Sequence, residues 1–181
     1  DTPYGGLGSS FAMGVGASSN KINPTLPFMA DTVGNFEGYH NDCTRTFTFG
    51  KPSDLVKRNY QALQEIYHYA KSLLKPGALC EDIYFSTLEK AKNLGYQDSF
   101  MGLKGNQVGF LGHGIGIQVD EFPVLAPKLQ IPLEPNMTIA IEPKLFLKEI
   151  GGVGLETTFL ITEKGAEPLC NLTEDIIVIE K

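Results

Sequence analysis

Asp31 and Asp42 close the segment DTVGNFEGYHND, two carboxylates eleven residues apart with Asn35, Phe36, Glu37 and Gly38 halfway between them. The flanks FMADTV and YHNDCTRTFTF alternate β-branched and aromatic residues, the pattern of a strand. A hairpin whose turn is centred between Phe36 and Glu37 sets Asp31 directly across from Asp42 on one sheet face. Two anions held that close repel and raise each other's pKa unless a cation sits between them. The pair by itself therefore points to a metal.

Glu142 lies in the apolar run AIEP and Glu156 in VGLETTFLI. Ionised carboxylates are rarely buried unpaired, because desolvation costs several kcal/mol per ion. With the turn around Glu149, a second hairpin places Glu142 opposite Glu156, provided no bulge shifts the register. His113 stands in GHGIG, where glycines let the backbone bend and the ring approach a ligand. Each has a plainer reading alone: a satisfied loop histidine, a surface Asp42–Arg45 ion pair, or a Glu before Pro that ends a strand in water. Together, two Asp, two Glu and one His form an oxygen-rich donor set that suits a pair of divalent ions such as Mn, Co, Fe or Zn. It does not suit a structural zinc site.

These residues need elements to hold them. Residues 1 to 27 are rich in Gly, Ser, Asn and Pro and read as loop, with a short strand at Phe11 to Val15. After the hairpin, which ends at Gly50, residues Leu55, Val56, Leu63, Ile66, Tyr67, Ala70 and Leu74 recur at helical spacing. Ser53 is the natural N-cap, and Pro76-Gly77 stops the helix. A second helix is expected from near Glu81 to Gly95, with Ile83, Leu88 and Ala91 inward. From Val108 the pattern becomes strands: VGFLGHGIGIQV, MTIAIEPKLFL, GGVGLETTFLIT and EDIIVIE.

At 181 residues and 19.8 kDa the chain accommodates one domain with a sizeable core. A formal charge of -6 argues against a nucleic-acid or anionic-membrane partner, and a small molecule or peptide fits better. No apolar run is long enough to span a membrane, and no signal-peptide order is present. Cys43, Cys80 and Cys170 are widely spaced and odd in number, which favours free thiols in a reducing, cytoplasmic setting over a disulfide framework.

DTVGNFEGYHNDCTRTF, GHGIGIQVDEFP, AIEP and GLETTFLIT, in this order, resemble the pita-bread metallopeptidases (M24). That group includes methionine aminopeptidase, aminopeptidase P and prolidase, with metal-free creatinase as a relative. The resemblance implies an α+β pita-bread (creatinase/aminopeptidase-like) fold, a curved antiparallel sheet covered by helices. It also implies that residues 1–181 are a C-terminal catalytic domain lacking its leading helical part. Asp31, Asp42, His113, Glu142 and Glu156 are then the five ligands of two divalent ions, Asp42 and Glu156 bridging. Glu142 and His113 are the catalytic residues, Glu142 taking the proton of the attacking water. Arg45 is expected to brace a carboxylate behind the ligands.

The implied activity is hydrolysis of the N-terminal peptide bond of short peptides, Xaa-Pro above all, with a homodimer common among the resembling proteins. Three positions depart from the pattern. Asp120 stands where the peptidases have a substrate-contacting His, although Glu121 and Pro123 are kept. Gly154 stands where the proline-cleaving members have Arg. The stretch SSNKINP lacks the His those members tend to carry. DEFPVLA after GHGIG resembles a bacterial Xaa-Pro peptidase-like subgroup. Another metal-assisted hydrolase or lyase on a small amino-acid-like substrate is the second reading, and a non-catalytic binding module of the same fold is the third.

Overall fold

The computed structural model describes residues 8–10, 12 and 16–180, so the strand expected over Phe11 to Val15 lies outside them apart from Ala12. The chain runs β1 (Phe28–Phe36), β2 (Tyr39–Phe49), α1 (Asp54–Leu73), α2 (Cys80–Asn93), β3 (Gly112–Gly114), β4 (Glu121–Leu125), β5 (Thr138–Ile141), β6 (Lys144–Leu147), β7 (Gly151–Gly154), β8 (Thr157–Thr162), β9 (Gly165–Pro168) and β10 (Ile177–Ile179). Strands β1, β2 and β10 form one sheet, β4-β3-β5-β8-β9 a second, and β6-β7 a separate ladder. All pairings are antiparallel except β10 against β2.

The first hairpin forms, with a turn one residue later than the sequence reading placed it. Glu37 and Gly38 carry φ of 51° and 90°, the pair of positive values that a two-residue type I′ turn needs. Phe36 therefore pairs with Tyr39, Asp31 with Thr44, and Val33 with Asp42. Asp31 and Asp42 are thus diagonal rather than opposed. The displacement is two residues along the ladder, so the side-chain alternation keeps both carboxylates on one face.

The second register holds as expected on both sides of the two glutamates. Ile141 pairs with Thr157, and Lys144 with Gly154. Between those rungs the ladder opens, because Pro143 has no N–H to offer. What read as two long strands are therefore four short ones, with Glu142 and Glu156 at the two breaks. Their freed backbone groups find other partners: Glu142 N–H donates to Leu111 O at 3.0 Å and Glu156 N–H to Thr44 O at 3.0 Å. The breaks thereby tie β3 and β2 to the place where the glutamates sit.

Helix α1 starts where expected, its Val56 N–H donating to Ser53 Oγ at 3.3 Å. Its buried stripe of Leu63, Ile66, Tyr67 and Ala70 packs with Ile83 and Ala91 of α2 against Ile139, Ile141, Val153 and Phe159 of the sheets. Among the described residues no helix is long and apolar enough to cross a membrane.

Candidate metal centre

Each carboxylate reaches the site from a different element. Asp31 comes from β1, Asp42 from β2, Glu142 from the β5–β6 break and Glu156 from the β7–β8 break. Asp42, Glu142 and Glu156 are 7%, 4% and 1% exposed, burial that carboxylates tolerate only with a partner. His113 is supplied by β3, which pairs with both β4 and β5. A Cβ on Gly112 would stand 2.1 Å from Ala140 O, and one on Gly114 2.6 Å from Phe122 O. The flanking glycines are what let three strands close around the imidazole.

His113 Nδ1 lies 2.9 Å from Gly114 O, the contact of an Nδ1–H donor that turns Nε2 into the site. Nε2 faces Asp120 Oδ1 at 3.3 Å and Glu142 Oε1 at 3.5 Å. One donor atom each from Asp42, His113 and Glu156 lies within 4.8 Å of the others, all three residues buried. Asp42 Oδ1 and Glu156 Oε1 have no hydrogen-bond partner. Two orphaned, buried carboxylate oxygens beside an imidazole nitrogen are the donor chemistry of a divalent ion, so the residues present fit one.

Asp31 is held differently. Its carboxylate, half exposed, meets the Lys144 ammonium at 3.2 Å. Lys144, 2% exposed, also contacts Glu142 Oε2 at 2.5 Å and Glu156 Oε2 at 3.9 Å. Burial alone would lower the Lys144 pKa, but Glu156, Glu142 and Asp31 outweigh it and raise it, so the side chain is an ammonium. Burial pushes Glu156 well above the usual carboxylate range. It also pushes Asp42 up to about 6, with the neighbouring charges of Asp31 and Glu142 adding to the effect. Glu142 is the carboxylate closest to Lys144.

Threonines on β2 and β8 fix the Glu156 carboxylate and the Asp42 main chain. Thr44 Oγ1 donates to Glu156 Oε2 at 2.6 Å. Thr158 Oγ1 donates to Asp42 O at 3.0 Å and accepts from Asp42 N–H at 3.1 Å. Arg45 does not brace a carboxylate. It alternates to the opposite face of β2 from Asp42, and its buried guanidinium donates to the main-chain carbonyls of Glu156, Thr44, Thr173 (2.6 Å) and Leu172 (3.3 Å). Its grip is on the backbone at the second break. Asp120 stands at the mouth, with its side chain 71% exposed.

The sequence reading passed over Lys144, Thr44 and Thr158. A signal was present: Lys144 follows Glu142 by two residues and Thr44 follows Asp42 by two, the strand period that puts both on the ligand's face. Thr158, opposite Ala140 and beside the β2 backbone, had no such mark.

A broken antiparallel sheet that gathers four carboxylates and an imidazole under a helical layer is a pita-bread fold built around a candidate metal centre. Residues 5–163 match the model of Metallopeptidase family M24, and the chain belongs to that family. It is 32% identical to the uncharacterized peptidase YqhT of Bacillus subtilis over 96% of this chain and 47% of that protein. It is 30% identical to an Xaa-Pro dipeptidase of Pyrococcus furiosus over 89% of this chain and 44% of that protein. The structure of dipeptidase PepE from Mycobacterium ulcerans superposes with a TM-score of 0.83 at 28% identity, covering 92% of this chain and 43% of that one. The chain thus spans about half the length of the curated relatives it matches.

Proposed function

We propose that the protein is a metal-dependent exopeptidase that hydrolyses the N-terminal peptide bond of short peptides, with Xaa-Pro the preferred sequence. On this reading residues 1–181 are its catalytic pita-bread domain. The observation that carries it is the buried trio of Asp42, His113 and Glu156, with two carboxylate oxygens unpartnered and Glu142 alongside. Names of relatives support the substrate class: those of Pyrococcus furiosus and Lactobacillus delbrueckii are Xaa-Pro dipeptidases.

Asp42, His113, Glu142 and Glu156 would hold a divalent ion, Mn, Co, Fe or Zn, and Asp31 belongs to the set if a second ion joins it. When bound, such an ion supplies Lewis acidity toward a water and a scissile carbonyl. Glu142 is the proton acceptor: Lys144 Nζ holds Oε2 at 2.5 Å, while Oε1 faces the imidazole. His113, its Nδ1 proton held by Gly114 O, presents a fixed Nε2 to the site. Asp120, at the mouth, places a negative charge where the ammonium end of a peptide would enter.

Asp120 also favours a second reading. A carboxylate accepts hydrogen bonds but cannot donate one when ionised, so the donor role of the expected His is lost and another small amino-bearing substrate fits the mouth as well. One experiment addresses both. The intact protein, loaded with Mn or Co, is incubated with a panel of Xaa-Pro and non-proline dipeptides, and released amino acids are quantified. Cleavage confined to the Xaa-Pro members is the expected result. Metal-loaded protein that cleaves none of the panel would turn the assignment to the second reading.

A further inference from the structure

Lys144 is built into the carboxylate cluster. It opens β6, and its cross-strand partner on β7 is Gly154. A Cβ at position 154 would lie 3.0 Å from Lys144 Cγ, 2.6 Å from Met29 Sδ and 3.3 Å from Thr44 Cγ2. The glycine therefore leaves the space through which the lysine stem runs. At its end the ammonium touches carboxylates from three separate elements: Asp31 at 3.2 Å, Glu142 at 2.5 Å and Glu156 at 3.9 Å.

The carboxylate oxygens divide into two sets. Asp31 Oδ2, Glu142 Oε2 and Glu156 Oε2 face Lys144, with Thr44 Oγ1 also donating to Glu156 Oε2. Asp42 Oδ1 and Glu156 Oε1 have no partner, and Glu142 Oε1 turns instead toward His113 Nε2. The second set, with the imidazole, is one ion's worth of donors. The first set already surrounds a cation. A second divalent ion beside those oxygens would stand against an ammonium that has no exposed route to retreat along, being 2% exposed.

We propose that Lys144 Nζ is the resident second cation of this centre: the chain takes one divalent ion, on Asp42, His113, Glu142 and Glu156, and Asp31 serves the ammonium instead of a metal. The inference rests on reading the site as a metal centre. It departs from the two-ion set that the five-ligand pattern implies, and it assigns Gly154 the task of admitting the lysine.

Mn(II) alone is the probe. The metal-stripped intact protein is equilibrated with Mn(II), freed of excess, and assayed for Mn per chain by elemental analysis and for spin coupling by EPR. One Mn per chain with the six-line signal of an isolated ion is expected. The Lys144→Met variant should hold two, with the isolated signal replaced by that of an exchange-coupled pair. Asp31→Asn, which keeps Lys144, should leave one ion bound with its affinity changed less than about 3-fold. Two coupled ions in the unaltered protein, a Lys144→Met variant that folds yet stays at one, or loss of the ion from Asp31→Asn would each overturn the proposal while leaving a metal centre in place. A protein that takes up no Mn refutes the metal-centre reading, and the assignment of Lys144 with it.

Discussion

Removing the Lys144 charge has a consequence for stability that is separate from metal counting. In metal-free protein at pH 8, Lys144→Met leaves Glu142 and Glu156, side chains 5% and 1% exposed, facing one another with no cation. Breaking a buried pair by removing one partner costs about 3–5 kcal/mol. The Asp31 limb adds little, since its carboxylate is 50% exposed and pairs in solvent are worth about 0–1 kcal/mol. For a chain of 181 residues, at roughly 2–4 °C per kcal/mol, the melting temperature should fall by about 6–20 °C. Circular dichroism melts in EDTA measure it. Acidification to pH 5 should shrink the loss, because the freed carboxylates take up protons and cease to repel. Saturating Mn(II) should recover most of it, a divalent ion replacing the missing charge. A loss below about 1 kcal/mol in EDTA, or one of equal size with and without Mn, would show that Lys144 is not the counter-charge of this cluster.

Three further outcomes can be checked. Asp42, with its pKa raised to about 6, keeps its proton in the folded chain at pH values where the unfolded chain, near 3.8, has released it. Its contribution to metal-free stability is therefore greatest below that window and is lost as pH rises through it, by at most about 3 kcal/mol; titration calorimetry should show Mn affinity falling up to tenfold per unit below pH 6 as the proton competes. Thr44→Val, nearly isosteric, deletes the 2.6 Å donor to Glu156 Oε2 and should cost about 1.5–3 kcal/mol in denaturant titrations, with the ion bound more weakly. Burial raises the Cys43 thiol to about 12 and Cys80 to about 11, so iodoacetamide on native protein should label Cys170 and reach the other two only in denaturant, as peptide mass spectrometry will read.

The hairpins show what was legible in the sequence. Alternation combined with a hairpin register marks which residues share a face, and that was enough for Asp31 with Asp42 and for Glu142 with Glu156. Alternation does not fix where a turn falls, and the Glu37-Gly38 turn moved the Asp31 pairing by two residues while sparing the face. The helices were legible because their caps and breakers are local: Ser53 at one end, Pro76-Gly77 at the other. Short strands were less so. VGFLGHGIGIQV reads as one long strand, but the regular strand is only Gly112–Gly114, whose glycines admit the backbones of both neighbouring strands.

Arg45 and Lys144 mark the limit of such reading, and they fail for opposite reasons. Arg45 lies three residues from Asp42, close in sequence, yet strand alternation sends it to the other face, where carbonyls of the Glu156 and Thr173 segments receive it. Lys144 lies in an apolar run, where a basic residue invites dismissal as a strand end. Its place follows only from combining the period with the partner strand: two residues beyond Glu142 it shares that face, and opposite it Gly154 offers no side chain to exclude it. A cation expected at position 154 is thus supplied from the facing position 144. Charge at this site is kept across the ladder rather than along the chain, and a motif read along one strand cannot register that exchange.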